Sequence, residues 1–353
     1  MNVNDRISGA AESLRKQAQD VAGGVIGQAH GVAAAAREMA GSVWGGTEDD
    51  ADVMDGVKVL DGFLDVWMHG VSNGLRAPVL RRPNEVGLDY EDVFFTSLDG
   101  VPLEGWFIPA DSDQLVIQNH FLPGNRYGYP GHLPEFNSVG GFEVNLMPWY
   151  KALHDAGYNI LTYDLRNHGL SGAANGGIVG MGLLEYRDVV GSVRYAKFRG
   201  DTAAMTTHLF SACLGANATC IAMAKHPEDF ENIASQILLQ PLSGHYVIEE
   251  YVKTYRIPAG YGRFEWLLRE RTGFNLAEQS PLESAAAIGT PTMVAQVRDD
   301  RVTRPEDVQS IYDALPAADK TLHWIEGTNR RFDAYNTIGE HPAVYTDWFG
   351  AHR

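Results

Sequence analysis

The alternation of apolar and polar positions changes character several times along the chain. YEDVFFTS and VPLEGWFIPA alternate with period two on either side of LDG, which predicts two strands joined by a tight turn. Short apolar runs then take over: QLVIQNH (114–120), NILTYDL (159–165), TTHLFSA, ASQILLQ, PTMVAQV (291–297) and KTLHWIEG (320–327). Runs of this length bounded by turn residues suit strands buried on both faces. Longer stretches with helical spacing separate them. These are MPWYKALHDAGY, ending at Gly157, a stretch at roughly 181–198, CLGANATCIAMAKH, stopped by Pro227, and a closing HPAVYTDWFGAH. A further helix is predicted at 57–74.

Strands alternating with helices imply a mostly parallel sheet covered by helices on both faces, with the leading hairpin as an antiparallel edge. Between LLQPLSG and PTMVAQV the chain runs too long for a bare connection and is rich in aromatics and arginines. Residues 242–285 are therefore expected to form a helical lid. It interrupts a core made of a first part, 51–241, and a last part, 286–353.

Residues 1–50 follow a different pattern. Leu14, Ala18, Val21, Val25, Val32, Ala36 and Met39 recur at three-four spacing, which predicts a weakly amphipathic helix. Its apolar face is mostly small, and Gly23, Gly27 and Gly31 lower helix propensity. The alternatives are a poorly ordered tail, a helix lying on the domain, or a helix for the membrane surface or for self-association, which would make a homo-oligomer. EDDAD (48–52) reads as a solvated acidic linker.

Composition narrows the function classes. A formal net charge of −17 argues against a nucleic-acid partner and against an anionic membrane surface. The two cysteines, Cys213 and Cys220, fall on one predicted helix about 10 Å apart along its axis, too far for a disulfide. With no other thiol, a reducing, cytoplasmic location is the simplest fit. No apolar run reaches transmembrane length. VAGGVIGQAHGVAAAA carries Gln28 and His30 and lies far from the start, so it is not read as a signal peptide. No metal or organic cofactor is expected. Cysteine–histidine clusters are missing, and GGTEDD and SGAANGG lack the lysine and the strand-to-helix setting of a phosphate loop.

The candidate chemistry centres on HLFSACLGANA (208–218), where a cysteine sits at a strand-to-helix junction between small residues, Ser211 and Gly215. Together with NHFLPGN, YDLRNHGLSG (163–172) and VAQVRDDRVTRPED (294–307), in this order and spacing, the stretch resembles the α/β-hydrolase fold over about 57–353. A cysteine at the elbow resembles dienelactone hydrolases and polyhydroxyalkanoate synthases. The resemblance implies Cys213 as nucleophile at the start of a helix, whose dipole favours a thiolate. It implies the amides of Leu214 and of Phe121 or Leu122 as oxyanion donors. It implies Asp300, two residues before Val302, as the acidic member, with Asp299 as the fallback.

The histidine is out of register. In WIEGTNRRFDAYNTIGEHP the family's position holds Arg330, and arginine is no general base. His120, His245 or His341 would have to serve, or Cys213 would act as a thiolate supported by Arg330 and the helix dipole, or the fold serves a non-hydrolytic purpose. Arg330 is expected to pair with Asp300 directly, or the two to meet through Arg331. Arg330 and Arg331 are also candidates for clamping a carboxylate or phosphate. Lys253, Arg256, Arg263, Arg269 and Arg271 in the lid segment add to this, so the small-molecule acyl substrate is expected to be anionic unless these cations pair with acids of the protein. The function implied is hydrolysis of an ester, thioester or lactone. The alternative is a lyase, an acyltransferase or a receptor-like ligand binder on the same fold.

Overall fold

The structure, a computed structural model, describes residues 72–139, 141–255 and 259–353. The amphipathic stretch and acidic linker of residues 1–52, almost all of the helix expected at 57–74, and Arg256 lie outside the described residues.

Eight strands form one sheet: β1 (Glu91–Thr96), β2 (Pro102–Ile108), β3 (Gln114–Asn119), β4 (Asn159–Tyr163), β5 (Thr206–Ala212), β6 (Ile233–Leu239), β7 (Thr292–Val297) and β8 (Lys320–Ile325). Their order is β1-β2-β4-β3-β5-β6-β7-β8. The β1/β2 and β2/β4 pairs are antiparallel and every other pair is parallel. The longer helices are α1 (Met147–Asp155), α2 (Tyr186–Phe198), α3 (Leu214–Lys225), α4 (Gly244–Tyr255), α5 (Gly260–Thr272), α6 (Pro305–Ala314), α7 (Arg331–Glu340) and α8 (Ala343–Gly350).

The strand alternation builds two cores. Leu115, Ile117, Leu161, Leu209, Leu238 and Val294 point to one face, where residues of α2, α3 and α6 cover them. Val116, Ile160, Phe210, Ile237, Leu239 and Met293 point to the other, beneath α1, α7 and α8. Each fully buried large side chain there contributes about 1.5–3 kcal/mol relative to exposure. Helix α3 is buried from Leu214 through Met223 and has no polar face, as suits a helix enclosed on all sides. The side chains that allow this are mostly small.

Two places depart from the sequence expectation. The helix expected at 181–198 starts at Tyr186, because Met181 (φ 52°) and Gly182 (φ 106°) turn the chain first. Glu185 secures that turn by accepting the Gly180 and Gly182 amides, both at 2.9 Å. Helices α6 and α7 are absent from the expectation. In α7, Asp333, Asn336, Thr337 and Gly339 are weak helix formers. The helix is held by packing instead: Phe332, Ala334, Tyr335 and Ile338 are buried, and Gly339 comes so close to Pro148 on α1 that an added Cβ would lie 2.9 Å away.

Candidate active site

Strand β5 ends at Ala212 and α3 begins at Leu214, so Cys213 alone turns the chain. It does so at φ 50°, ψ −110°, a conformation that costs a non-glycine residue about 1–3 kcal/mol. The backbone around it is pinned. Cys213 N–H donates to the Leu239 carbonyl (2.8 Å), Gly215 N–H to the His120 carbonyl (3.1 Å), and Asn217 N–H to the Cys213 carbonyl (3.0 Å). A Cβ on Gly215 would come 2.5 Å from the Asn119 carbonyl oxygen, so the approach of α3 to β3 requires glycine.

Ser211, where glycine is more usual, has its hydroxyl satisfied. Asn119 Nδ2 donates to Ser211 Oγ at 2.9 Å, the Ser211 and Thr219 hydroxyls lie 2.8 Å apart, and the Tyr163 hydroxyl donates to Asn119 Oδ1 at 2.6 Å. Leaving that buried hydroxyl unpaired would cost about 1–3 kcal/mol. Leu214 carries the first amide of α3, and Phe121 and Leu122 follow the end of β3. Among the described residues, none of these three N–H groups has an acceptor. First-turn amides have none within their own helix, which leaves them open to a developing oxyanion.

Asp300 is buried in the turn after β7. Its Oδ1 accepts the Val302 amide (3.0 Å). Its Oδ2 accepts Thr303 Oγ1 (2.8 Å), Gln296 Nε2 (3.1 Å) and Arg331 Nη1 (2.9 Å). Arg331, the second of the two arginines, meets Asp300, but it does not bring Arg330 to that acid. Arg331 is 4% exposed, donates its Nη2 to the Gln240 carbonyl (2.9 Å), and has Cys213 and Tyr335 as electrostatic neighbours. Burial opposes its charge, but Asp300, Tyr335 and Cys213 outweigh it, so the guanidinium stays protonated.

Arg330 corrects the expectation of a direct pair with Asp300. Its side chain is more than half exposed, bonds Asp333 (Nη2–Oδ1 2.9 Å) and lies over the Phe142 ring. The reason is helical geometry: at the N-terminus of α7, neighbouring positions point about 100° apart, so only one of the two arginines faces inward. With Arg331 engaged by Asp300 and Gln240, and Arg330 by Asp333, neither is poised as a free clamp for an anionic substrate. In the segment 242–285, Lys253 lies 3.8 Å from Glu250, and Glu249 and Glu250 are both paired with Arg304.

None of the three candidate histidines hydrogen-bonds the Cys213 sulfur, which has no hydrogen-bond partner among the described residues. His120 is fully buried; its Nε2 accepts the Leu165 amide (2.9 Å) and its Nδ1–H donates to the Phe121 carbonyl (2.9 Å). Burial, then the neighbouring His168, push its pKa down to about 3. It is a neutral strut between the end of β3 and the chain after β4. His245, second residue of α4, is half-buried, and its Nδ1 has no hydrogen-bond partner among the described residues. His341 is exposed at the end of α7, its amide bonded to the Thr337 carbonyl. Because α7 occupies the chain between Arg331 and His341, no loop is left to fold that imidazole back.

Tyr335 and Gln240 escaped the sequence reading. Tyr335 stands one turn after Arg331, 1% exposed, its ring stacked on Phe121 (centroids 4.1 Å apart, planes at 5°) with Phe332 edge-on. Among the described residues its hydroxyl has no hydrogen-bond partner of good geometry, with the Arg331 guanidinium close beside it. The Arg331–Tyr335 spacing of four would have signalled a shared face, had α7 been foreseen. Gln240 (φ 55°) locks α7 to the end of β6, donating its Nε2 to the Arg331 carbonyl at 2.8 Å.

Just beyond, Asn217 Nδ2 donates to the Leu242 carbonyl (2.8 Å) and the Leu242 amide returns to Asn217 Oδ1 (3.2 Å). The start of the segment 242–285 is therefore fastened to the first turn of α3.

No protein-family model and no curated protein matches the chain. Solved structures do. An esterase of Pyrococcus furiosus superposes with a TM-score of 0.60 at 21% identity, over 80% of this chain and 97% of that one. DcsB, solved with a substrate analogue, gives 0.53 at 14% identity, over 75% and 99%. The α/β hydrolase GrgF from Penicillium gives 0.50 at 18% identity, over 75% and 99%. With the sheet order and the two helical layers, these likenesses show that the chain has the α/β-hydrolase fold.

Proposed function

We propose that the protein performs acyl chemistry on ester, thioester or lactone bonds with Cys213 as nucleophile, and that it favours substrates whose leaving group departs as a stable anion. The observation that carries this reading is a strained elbow cysteine with a guanidinium, Arg331, and not an imidazole, as its electrostatic neighbour. A strained elbow and open amides are costly features to keep in a fold that does nothing with them. An arginine supplies fixed positive charge beside the sulfur but takes up no proton.

The chemistry follows from that. The Cys213 thiolate attacks the acyl carbon, and the amides of Leu214 and of Phe121 or Leu122 receive the oxyanion. Collapse expels the leaving group. A thiolate, whose conjugate acid has a pKa of about 8.5, leaves without help, whereas an amine does not. Asp300 holds Arg331 in place. Residues 242–285 serve as a lid over the pocket, hinged where Leu242 meets Asn217.

The test is stoichiometric acylation. On mixing with S-phenyl thioacetate, one equivalent of thiophenol should appear in a burst, with the acetyl group on Cys213 by peptide mass spectrometry. Cys213→Ala should lose it. Cys220, fully buried with its thiol pushed up to about 12, should stay unmodified. Acetylation of another residue, or no burst, would defeat the reading. Transfer of the acyl group to an added thiol, in place of release to water, would identify the protein as an acyltransferase.

A further inference from the structure

We propose that Tyr335 is the general acid and base of the site: its hydroxyl gives a proton to the departing atom of the substrate and recovers one from the group that later removes the acyl chain. The inference rests on Cys213 being the nucleophile.

The starting point is an orphan. Buried hydroxyls are nearly always hydrogen-bonded, so each exception asks for an explanation. Among the described residues the Tyr335 hydroxyl has no acceptor of good hydrogen-bond geometry for its proton, although the Arg331 guanidinium lies close enough to donate to its oxygen. The ring is clamped between Phe121, stacked at 4.1 Å, and Phe332, edge-on at 5.5 Å. The hydroxyl is thus aimed by a rigid wall. It has Cys213 and Arg331 as electrostatic neighbours, and the ring beneath it belongs to Phe121, whose backbone amide is a candidate oxyanion donor. A substrate acyl group bound between Cys213 and those amides would bring its leaving atom toward that hydroxyl.

The charges also fit. Burial, with Cys213 next, keeps the phenol neutral, while Arg331 pulls the other way. A neutral phenol is a donor at rest, and the fixed guanidinium is in place to stabilise the tyrosinate once the proton has gone. In the first half-reaction the Cys213 sulfur bonds to the acyl carbon, the bond to the leaving atom breaks, and that atom takes the Tyr335 proton. This leaves a thioester and a tyrosinate beside Arg331. In the second, water or an acceptor thiol loses its proton to the tyrosinate as its oxygen or sulfur bonds to the acyl carbon. The Cys213 thiolate is then expelled. Thiolate, phenol and guanidinium all return to their starting states, with no external acid or oxidant.

The experiment measures first-turnover acylation of wild type and Tyr335→Phe across aryl acetates with leaving groups of rising basicity, from p-nitrophenol to p-methoxyphenol. Phenylalanine keeps both ring contacts, and an unchanged melting temperature would verify this. The ratio of wild-type to variant rates should grow from near one for p-nitrophenyl acetate to about a hundredfold for the most basic leaving group, in the range expected of general acid catalysis. Iodoacetamide should alkylate Cys213 at similar rates in both proteins. A ratio that stays constant across the series, or equal rates throughout, would overturn the role of Tyr335 while leaving Cys213 as nucleophile. Absence of acyl-Cys213 in the wild type would overturn both.

Discussion

On the β3–β5 side of Cys213 the site is held by backbone; on the β7–β8 side it is held by side-chain charge. The first side consists of amide-to-carbonyl bonds, a glycine with no room for a methyl group, and a neutral imidazole bonded at both nitrogens. The second consists of a buried Asp300–Arg331 pair, 2.9 Å apart, with Gln240, Gln296 and Thr303 bonded around it. The contrast sets a junction fixed by backbone geometry, which leaves little room for substitution, against a wall fixed by one side-chain pair.

Breaking the charged side should have the largest effect. Asp300→Ala would leave a buried guanidinium with only the Gln240 carbonyl, at a cost of about 3–5 kcal/mol. Urea denaturation would read this as a lower midpoint with an unchanged slope, and an effect below half that size would mean Arg331 finds another partner. On the backbone side, Gly215→Ala forces a Cβ against the Asn119 carbonyl and should cost about 1–3 kcal/mol. It should also depress first-turnover acylation, because the Leu214 amide moves with the helix start. Near-normal stability and acylation together would mean the junction yields more easily than its spacing suggests.

Acid sharpens the comparison, since the backbone side holds imidazoles that burial keeps neutral and unfolding would let charge. The His120 pKa falls to about 3 and that of His168 to about 4, chiefly by burial. The unfolded chain, with ordinary imidazoles, then binds more protons than the native one below about pH 6.5. Their contribution to stability is complete above that pH and is lost as pH falls toward 4, each imidazole adding a slope of up to about 1.4 kcal/mol per pH unit. Thermal melts from pH 7.5 to 4.5 would test this, with His120→Asn expected to flatten the profile. The smallest effect belongs to Arg330→Ala, which removes an exposed pair with Asp333 and should cost under about 1 kcal/mol. A large loss of acylation there would return Arg330 to the chemistry.

The alternation in β1 and β2 and the apolar runs of the buried strands made the sheet legible, because period and length report burial directly. Cys213 between Ser211 and Gly215 was legible for a related reason: a tight strand-to-helix turn restricts residue size in sequence space as well as in three dimensions. Helix α7 was not. Its weak helix formers give no clear period, and without it Arg330 looked like the inward arginine, His341 looked able to return, and Tyr335 drew no notice.

By itself, then, the sequence determined the order of the sheet's strands along the chain, the turn at Cys213 and the position of Asp300, since each is a local requirement of backbone conformation or burial. Tertiary structure alone decided which arginine meets that acid, that no histidine among the described residues bonds the sulfur, and that the Tyr335 phenol stands near it. Those facts depend on the rotation of α7 against α1 and β6, and that rotation is fixed by contacts between residues far apart in the chain: Gly339 against Pro148, and Gln240 against Arg331.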